Sequence, residues 1–232
     1  ATANSAPAGT RGSWQLTADG SGRPLDWTAW HADYDKDSPL LRRLEIVQRH
    51  IVSALQTIER SPVRVISMCA GEARDLRGAV VQVERRDIVG RLVEMDPGLA
   101  ENARRGLAEF GITGVQVITG DAGEMDAYGP AAPADLVLEC GVFGNISDED
   151  VERTIRASPA LCAPGATLIW TRHRREPDLT NAIRRWYRES GFEEVAFEAV
   201  PDSDGSVGVV RYAGEPQPLI DGPLFTFNRE TL

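Results

Sequence analysis

The sequence predicts an α/β fold: a doubly wound, seven-stranded sheet, mostly parallel, with an antiparallel terminal hairpin and an N-terminal helical lid segment in front of it. Three observations carry this expectation. From Val63 onward, short apolar runs alternate with amphipathic segments of helical period. The first five runs are each followed by a segment long enough to cross back over a sheet, which makes their strands parallel. The last two runs are joined only by PDSDGS, too short for a crossover, so those strands pair as an antiparallel hairpin at the sheet's edge.

The runs are VRVISM (63–68), IVGRLVEM (88–95), VQVIT (115–119), ADLVLEC (134–140), ATLIWT (166–171), EVAFEAV (194–200) and VGVVRYA (207–213). The helices between them are punctuated. Ser38-Pro39 is a capping hydroxyl followed by proline at the first helical position, and Leu40, Leu41, Leu44, Val47, Ile51, Leu55 and Ile58 then recur at helical spacing up to Ser61-Pro62. Asp96-Pro97 opens a second helix that Gly111 closes. Ser147 with Asp150 resembles a capping box for a helix over 148–158, and Gly191 ends the segment DLTNAIRRWYRESG. Residues 1–24, rich in Gly, Ala, Ser and Thr, read as a flexible arm. Residues 25–61 form the lid segment and residues 62–232 the single main domain.

The chain has 232 residues, 42% of them apolar, and a net charge of −10 from 35 acidic against 25 basic side chains. Such a field opposes approach to phosphate backbones and anionic membranes, so neither nucleic acid nor membrane is expected as a partner. No apolar run is long enough to span a bilayer, and ATANSAPAGTRG lacks the pattern of a signal peptide; the expected location is the cytoplasm. Cys69, Cys140 and Cys162 are odd in number and far apart, and His31, His50 and His173 are the only histidines. Neither a disulfide framework nor a metal site is expected.

In a doubly wound sheet, ligands bind beyond the C-terminal ends of the strands, where the strand order reverses. After the first strand come Met68, Cys69, Ala70 and Gly71, whose small side chains let backbone amides approach an anionic group. The three-glycine dinucleotide fingerprint is absent, which argues against a nicotinamide oxidoreductase. After the second strand, Glu94 can accept from both hydroxyls of a ribose, with Met95 beside it. After the third, Asp121 and Ala122 follow Gly120, and a carboxylate there suits an exocyclic amine. After the fourth come Glu139, Cys140 and a loop that ends on Gly144 and Asn145. Together they describe a site for a nucleoside with an anionic tail.

These stretches resemble the class I S-adenosylmethionine-dependent methyltransferases. In VISMCAGEARDL, Ser67 stands where the family usually has an acid, and Cys69, Gly71 and Ala73 stand at its three glycine positions. Glu94 falls at the ribose-binding position, Gly120-Asp121-Ala122 matches the adenine-contacting motif, PADLVLECGVF the fourth-strand motif, LCAPGATLIW the fifth, and ESGFEEV a late Gly-Phe step. The resemblance spans residues 62–213. It implies a Rossmann-like fold, S-adenosylmethionine as cofactor, and methyl transfer to O, N or C of a small molecule. It implies cofactor contacts from Met68, Cys69, Ala70, Gly71, Glu94, Met95, Asp121, Ala122, Glu139 and Cys140. The altered first motif also fits another use of the sulfonium, by cyclisation or aminocarboxypropyl transfer, and a non-catalytic cofactor-binding partner protein is a further alternative.

Methyl transfer requires no particular catalytic side chain, so the candidates are groups that can reach the pocket mouth. His31 and Tyr34 lie in an aromatic segment that serves as a lid or as a staple onto the core. His173 is either a base, with Arg172, Arg174 or Arg175 drawing in an anionic substrate, or part of a solvated loop. Arg184, Arg185 and Arg188 add to that basic stretch. Asn145 either contacts the acceptor or closes its own loop. Cys69 and Cys140 are expected as packing residues and His50 as a surface one. The apolar tail PLIDGPLFTF either crosses to a partner subunit, giving a homodimer, or closes the molecule's own sheet.

Overall fold

A computed structural model describes residues 38–227. The arm, and the lid segment up to residue 37 with His31 and Tyr34, lie outside the described residues.

Three helices begin where the sequence places a capping side chain, at Ser38, Asp96 and Ser147. In α1 (Pro39–Thr57) the Ser38 hydroxyl accepts the Leu41 N–H at 3.1 Å, and Pro39 takes the position that needs no donor. β1 (Val63–Met68) leads through a tight loop into α2 (Arg74–Val83). β2 (Ile88–Glu94) leads into α3 (Pro97–Glu109), whose first turn is capped by Asp96 through the Leu99 N–H at 2.9 Å. β3 (Gly114–Thr119) is followed by two short 3₁₀ turns and β4 (Ala134–Glu139). In α4 (Asp148–Ala157) the Ser147 hydroxyl caps the Asp150 N–H. Then follow β5 (Cys162–His173), α5 (Thr180–Glu189), β6 (Phe192–Ala199) and β7 (Gly205–Tyr212).

The strand order is β3-β2-β1-β4-β5-β7-β6. β1 to β5 are parallel, and the order reverses between β1 and β4, which pair from Val65↔Leu136 to Ser67↔Leu138. This is the doubly wound, mostly parallel sheet expected. The hairpin is refined in one respect: β7 lies inside, antiparallel to both β5 and β6, and β6 takes the edge. The burial explains the order. β7 is buried along most of its length, with Val207, Val209 and Val210 covered on both faces, whereas the glutamates of β6 stay at the surface. β5 is also longer than its apolar run, because Cys162 pairs with Ala134 before a register shift at the Pro164-Gly165 step.

The sheet separates two apolar layers. One holds Ile66, Met68, Val137, Leu168 and Trp170 against α4, α5 and the C-terminal tail. The other holds Val65, Leu92, Leu136 and Ile169 against α1, α2 and α3. Alternate residues of the central strands feed opposite layers, which is why their runs are continuously apolar. His50 is not simply at the surface: its Nε2 lies 2.6 Å from the Glu198 carboxylate, which ties α1 to β6.

Trp170, 1% exposed, fills its layer by using the space left at Gly208 on the neighbouring strand. A Cβ on residue 208 would stand 2.1 Å from the indole Cε2. Gly208→Ala should therefore cost about 1–3 kcal/mol of unfolding free energy through overpacking. Urea denaturation measures it, and an unchanged midpoint would contradict the packing described.

Candidate functional site

The loop after β1 adopts an unusual backbone. Cys69 has φ +51°, Gly71 +53° and Ala73 +55°, so each of the three positions at which the family carries glycine is left-handed here. Two are occupied by side chains that pay about 1–2 kcal/mol each for that conformation. The surrounding hydrogen bonds hold it. Ala70 N–H donates to Val93 O at 3.0 Å, Gly71 N–H to Glu94 Oε2 at 2.7 Å, and Ala73 N–H to Ala70 O at 2.8 Å. Glu72 closes the outside of the loop on Arg74 and Asn102.

Glu94 is thus the joint between β1 and β2. Its other oxygen accepts the Asp96 N–H at 2.9 Å, and the residue is 9% exposed. Burial pushes the carboxyl above the usual range, while the Asp96 and Gly71 N–H groups pull it back. Each oxygen accepts one backbone N–H, which leaves acceptor capacity for a vicinal diol. Met95, beside it, is exposed. Burial and then the charges of Glu94 and Asp121 push the Cys69 thiol well up; burial does the same to Cys140, whose Sγ lies 3.8 Å from Ile169 O. Both therefore stay protonated and pack rather than react.

Other expected residues are placed differently. Asp121 is exposed, with Oδ1 accepting the Gly123 N–H at 2.8 Å. The Met68 and Ala122 side chains belong to the core, so only their main chains are available to a ligand. The Glu139 carboxylate, 0% exposed, turns into the helical layer, between Tyr187 and Ser158, each with its hydroxyl 2.6 Å away. The Ser158 hydroxyl also lies 2.9 Å from Thr154 O and has one proton to give, so a protonated Glu139 completes the set. Burial pushes its pKa up to about 7, against the opposing pull of Ser158 and Tyr187. The sequence does not point to either hydroxyl, since Ser158 and Tyr187 lie 19 and 48 residues from Glu139 along the chain.

Asn145 closes its own loop, its Nδ2 donating to Gly141 O at 2.7 Å. His173, at the end of β5, is half-buried, and its Cδ2 would be 3.8 Å from a Cβ on Gly144. Burial, then Arg172 and Arg175, hold its pKa below the usual value, so the imidazole is neutral at pH 7. The arginines expected to attract an anion have protein partners, while Arg172 Nε and Arg174 Nε are buried without a hydrogen bond among the described residues. Arg172 donates to Phe143 O and approaches Asp148, Arg174 donates to Ser203 O, Arg175 pairs with Asp204, and Arg184 and Arg185 pair with Glu194 and Glu189. The apolar tail folds back on its own chain, with Leu224 and Phe225 buried. No group of three or more His, Cys, Asp or Glu among the described residues is arranged to hold a metal, and no helix among them is long and apolar enough to cross a membrane.

No family model matches the sequence, and no curated protein matches it. Solved structures do share its architecture. Magnesium protoporphyrin IX methyltransferase from Synechocystis, solved with bound S-adenosylmethionine, superposes with a TM-score of 0.63 at 11% identity, over 81% of this chain and 91% of that one. An O-methyltransferase family protein from Burkholderia thailandensis gives a TM-score of 0.57 at 15% identity over 81% of this chain, which spans 60% of that protein's length. The fold is that of S-adenosylmethionine-dependent methyltransferases.

Glu139 supplies a pH test. Its folded pKa of about 7 lies above the ordinary 4.5, so the native state holds a proton that the unfolded chain releases first. Its contribution is full below about pH 4.5 and is lost as pH rises through about 7, by about 3 kcal/mol at most. Glu139→Gln keeps the shape without the titration. Its stability relative to the wild type should rise between pH 5 and 8 in chemical denaturation at a series of pH values; parallel curves would refute the assignment.

Proposed function

We propose that this chain moves the methyl group of S-adenosylmethionine onto O, N or C of a small molecule. The observation that carries this reading is the left-handed trio Cys69, Gly71 and Ala73, tied by the Gly71 N–H to the Glu94 carboxylate at the point of strand reversal. The residues fit the cofactor. Glu94 would take the ribose hydroxyls, Met95 would lie along the adenine, and Asp121 would accept the exocyclic amine. The small-residue loop from Met68 to Gly71, with the main chain at Ala122, Glu139 and Cys140, would complete the walls.

Bound S-adenosylmethionine supplies an activated sulfonium methyl whose leaving group departs neutral. The protein's task is then to orient the acceptor and exclude water. The neutral imidazole of His173 suits removal of a proton from a hydroxyl or amine acceptor. Asn145 acts by closing the loop beside it. His31 and Tyr34, in the segment before α1, remain candidates for the lid over the acceptor. The acidic net charge of −10 favours a small acceptor over nucleic acid. Three free thiols suit a cytoplasmic location.

A second reading rests on Ser67. It occupies the position of the family's usual acid, is 1% exposed, and its hydroxyl has no hydrogen-bond partner among the described residues. A serine there cannot supply the carboxylate's attraction for the cofactor's ammonium group, and the altered anchoring fits cyclisation or aminocarboxypropyl transfer. Product analysis separates the two, since methyl transfer leaves S-adenosylhomocysteine and the others leave methylthioadenosine.

Isothermal calorimetry tests the site directly. The wild type should bind S-adenosylhomocysteine, and Glu94→Gln should weaken binding by about 10- to 100-fold, the range expected for hydrogen bonds to a charged group. No heat from the wild type, or an unchanged affinity in the variant, would overturn the site assignment.

A further inference from the structure

The segment after β7 is more than a chain end laid on the core. It threads between the loop that carries Asp121 and the start of α4. The Leu224 N–H donates to Gly123 O at 2.7 Å, and Pro223 forms a bridge with Glu124. Leu224 O in turn accepts Arg153 Nε at 3.0 Å and Thr154 Oγ1 at 3.2 Å. Two residues on, the Thr226 N–H donates to Asp150 Oδ2 at 2.8 Å, and Phe227 forms a bridge with Ile146 in the loop after β4. Leu224 and Phe225 are 0% and 1% exposed.

These contacts reach the candidate site through one residue. The Gly123 N–H holds Asp121 Oδ1 at 2.8 Å, its carbonyl accepts the Leu224 N–H, and a Cβ at this position would stand 2.2 Å from Phe225 O. The Asp121 carboxylate is exposed and has no other side-chain hydrogen bond among the described residues. Its direction is therefore set by the Gly123 peptide, and that peptide is clamped by the tail.

We propose that residues 223–227 are a strap that positions Asp121, and that the strap thereby makes the crevice selective for a 6-amino over a 6-oxo purine. The inference rests on the reading above that Asp121 accepts the exocyclic amine. An adenine amine donates to a carboxylate held in its plane, whereas a 6-oxo group presents an acceptor to the same carboxylate and is repelled. A carboxylate free to swing away would lose the preference without losing the rest of the binding surface. Residues 223–227 are positioning residues: Leu224 and Phe225 meet Gly123, while Pro223, Thr226 and Phe227 hold the strap on Glu124, Asp150 and Ile146.

The experiment compares S-adenosylhomocysteine with S-inosylhomocysteine by calorimetry. The wild type should prefer the adenosyl compound by about tenfold or more, the range of a charge-assisted hydrogen bond. Asp121→Ala should abolish the preference. Gly123→Ala, which pushes Phe225 O away, and Thr226→Pro, which removes the donor to Asp150, should both reduce it to within about threefold of unity while the affinity for the inosyl compound holds. Global destabilisation would weaken both ligands alike and leave the ratio unmoved. A wild type without preference, or one unchanged by Asp121→Ala, overturns the adenine reading and the strap with it. A preference lost in Asp121→Ala but kept in Gly123→Ala and Thr226→Pro overturns the strap alone. The unmodified chain gives an independent check, because coupling is reciprocal: S-adenosylhomocysteine should slow hydrogen exchange at the Leu224 and Thr226 amides. Unchanged exchange there also overturns the strap.

Discussion

The candidate site depends on a single buried carboxylate and the two backbone amides it accepts. Glu94 ends β2, yet its oxygens are committed to Gly71 after β1 and to Asp96 at the start of α3. Without that tie, a loop with Cys69 and Ala73 in left-handed conformations would relax, because neither side chain prefers them. The same carboxylate is the group proposed to meet the ribose, and one residue would then both set the loop and present acceptors. Its raised pKa is the cost of burial that makes both roles possible.

Around that joint the sheet distributes its work between two layers. The side formed by α1 to α3 is apolar and is braced by polar contacts at its rim, as where Gln48 of α1 donates to Arg74 O at the start of α2. The other side carries buried polar groups, among them Glu139 with Tyr187 and Ser158, and the tail running along α4. Such groups fix position more than they stabilise, because each must be matched to remain buried. They lie behind the loops that follow β3 and β4. The chain therefore places its directional contacts behind the loops that need a defined geometry.

Several site residues were legible in order along the chain but not in role. Glu94 and Asp121 follow their strands as expected and remain ligand candidates with accessible acceptor capacity. Glu139 follows β4 just as regularly, yet alternation turns its side chain to the helical layer, where a serine and a tyrosine claim it. Asn145 spans its own loop, and the arginines near His173 are each matched to a carbonyl or a carboxylate. Local sequence names the residue types near a site. It does not reveal which of them the rest of the fold has already engaged.

By itself the sequence determined the class of fold and the starts of the three helices that Ser38, Asp96 and Ser147 cap. Those follow from short-range physics: apolar period, capping hydroxyls, proline and glycine, and the length a crossover requires. It also determined that the last two strands are antiparallel, from the length of their turn. Only the tertiary structure decided that β7 lies inside β6, that the fifth strand continues through a proline and a glycine, and that Leu224 and Phe225 of the apolar tail pack on their own chain. Each of these depends on partners distant in sequence: Trp170 against Gly208, Cys162 beside Ala134, Leu224 on Gly123. Pairings of that kind are set by the packing of the whole domain, and no local pattern along the chain encodes them.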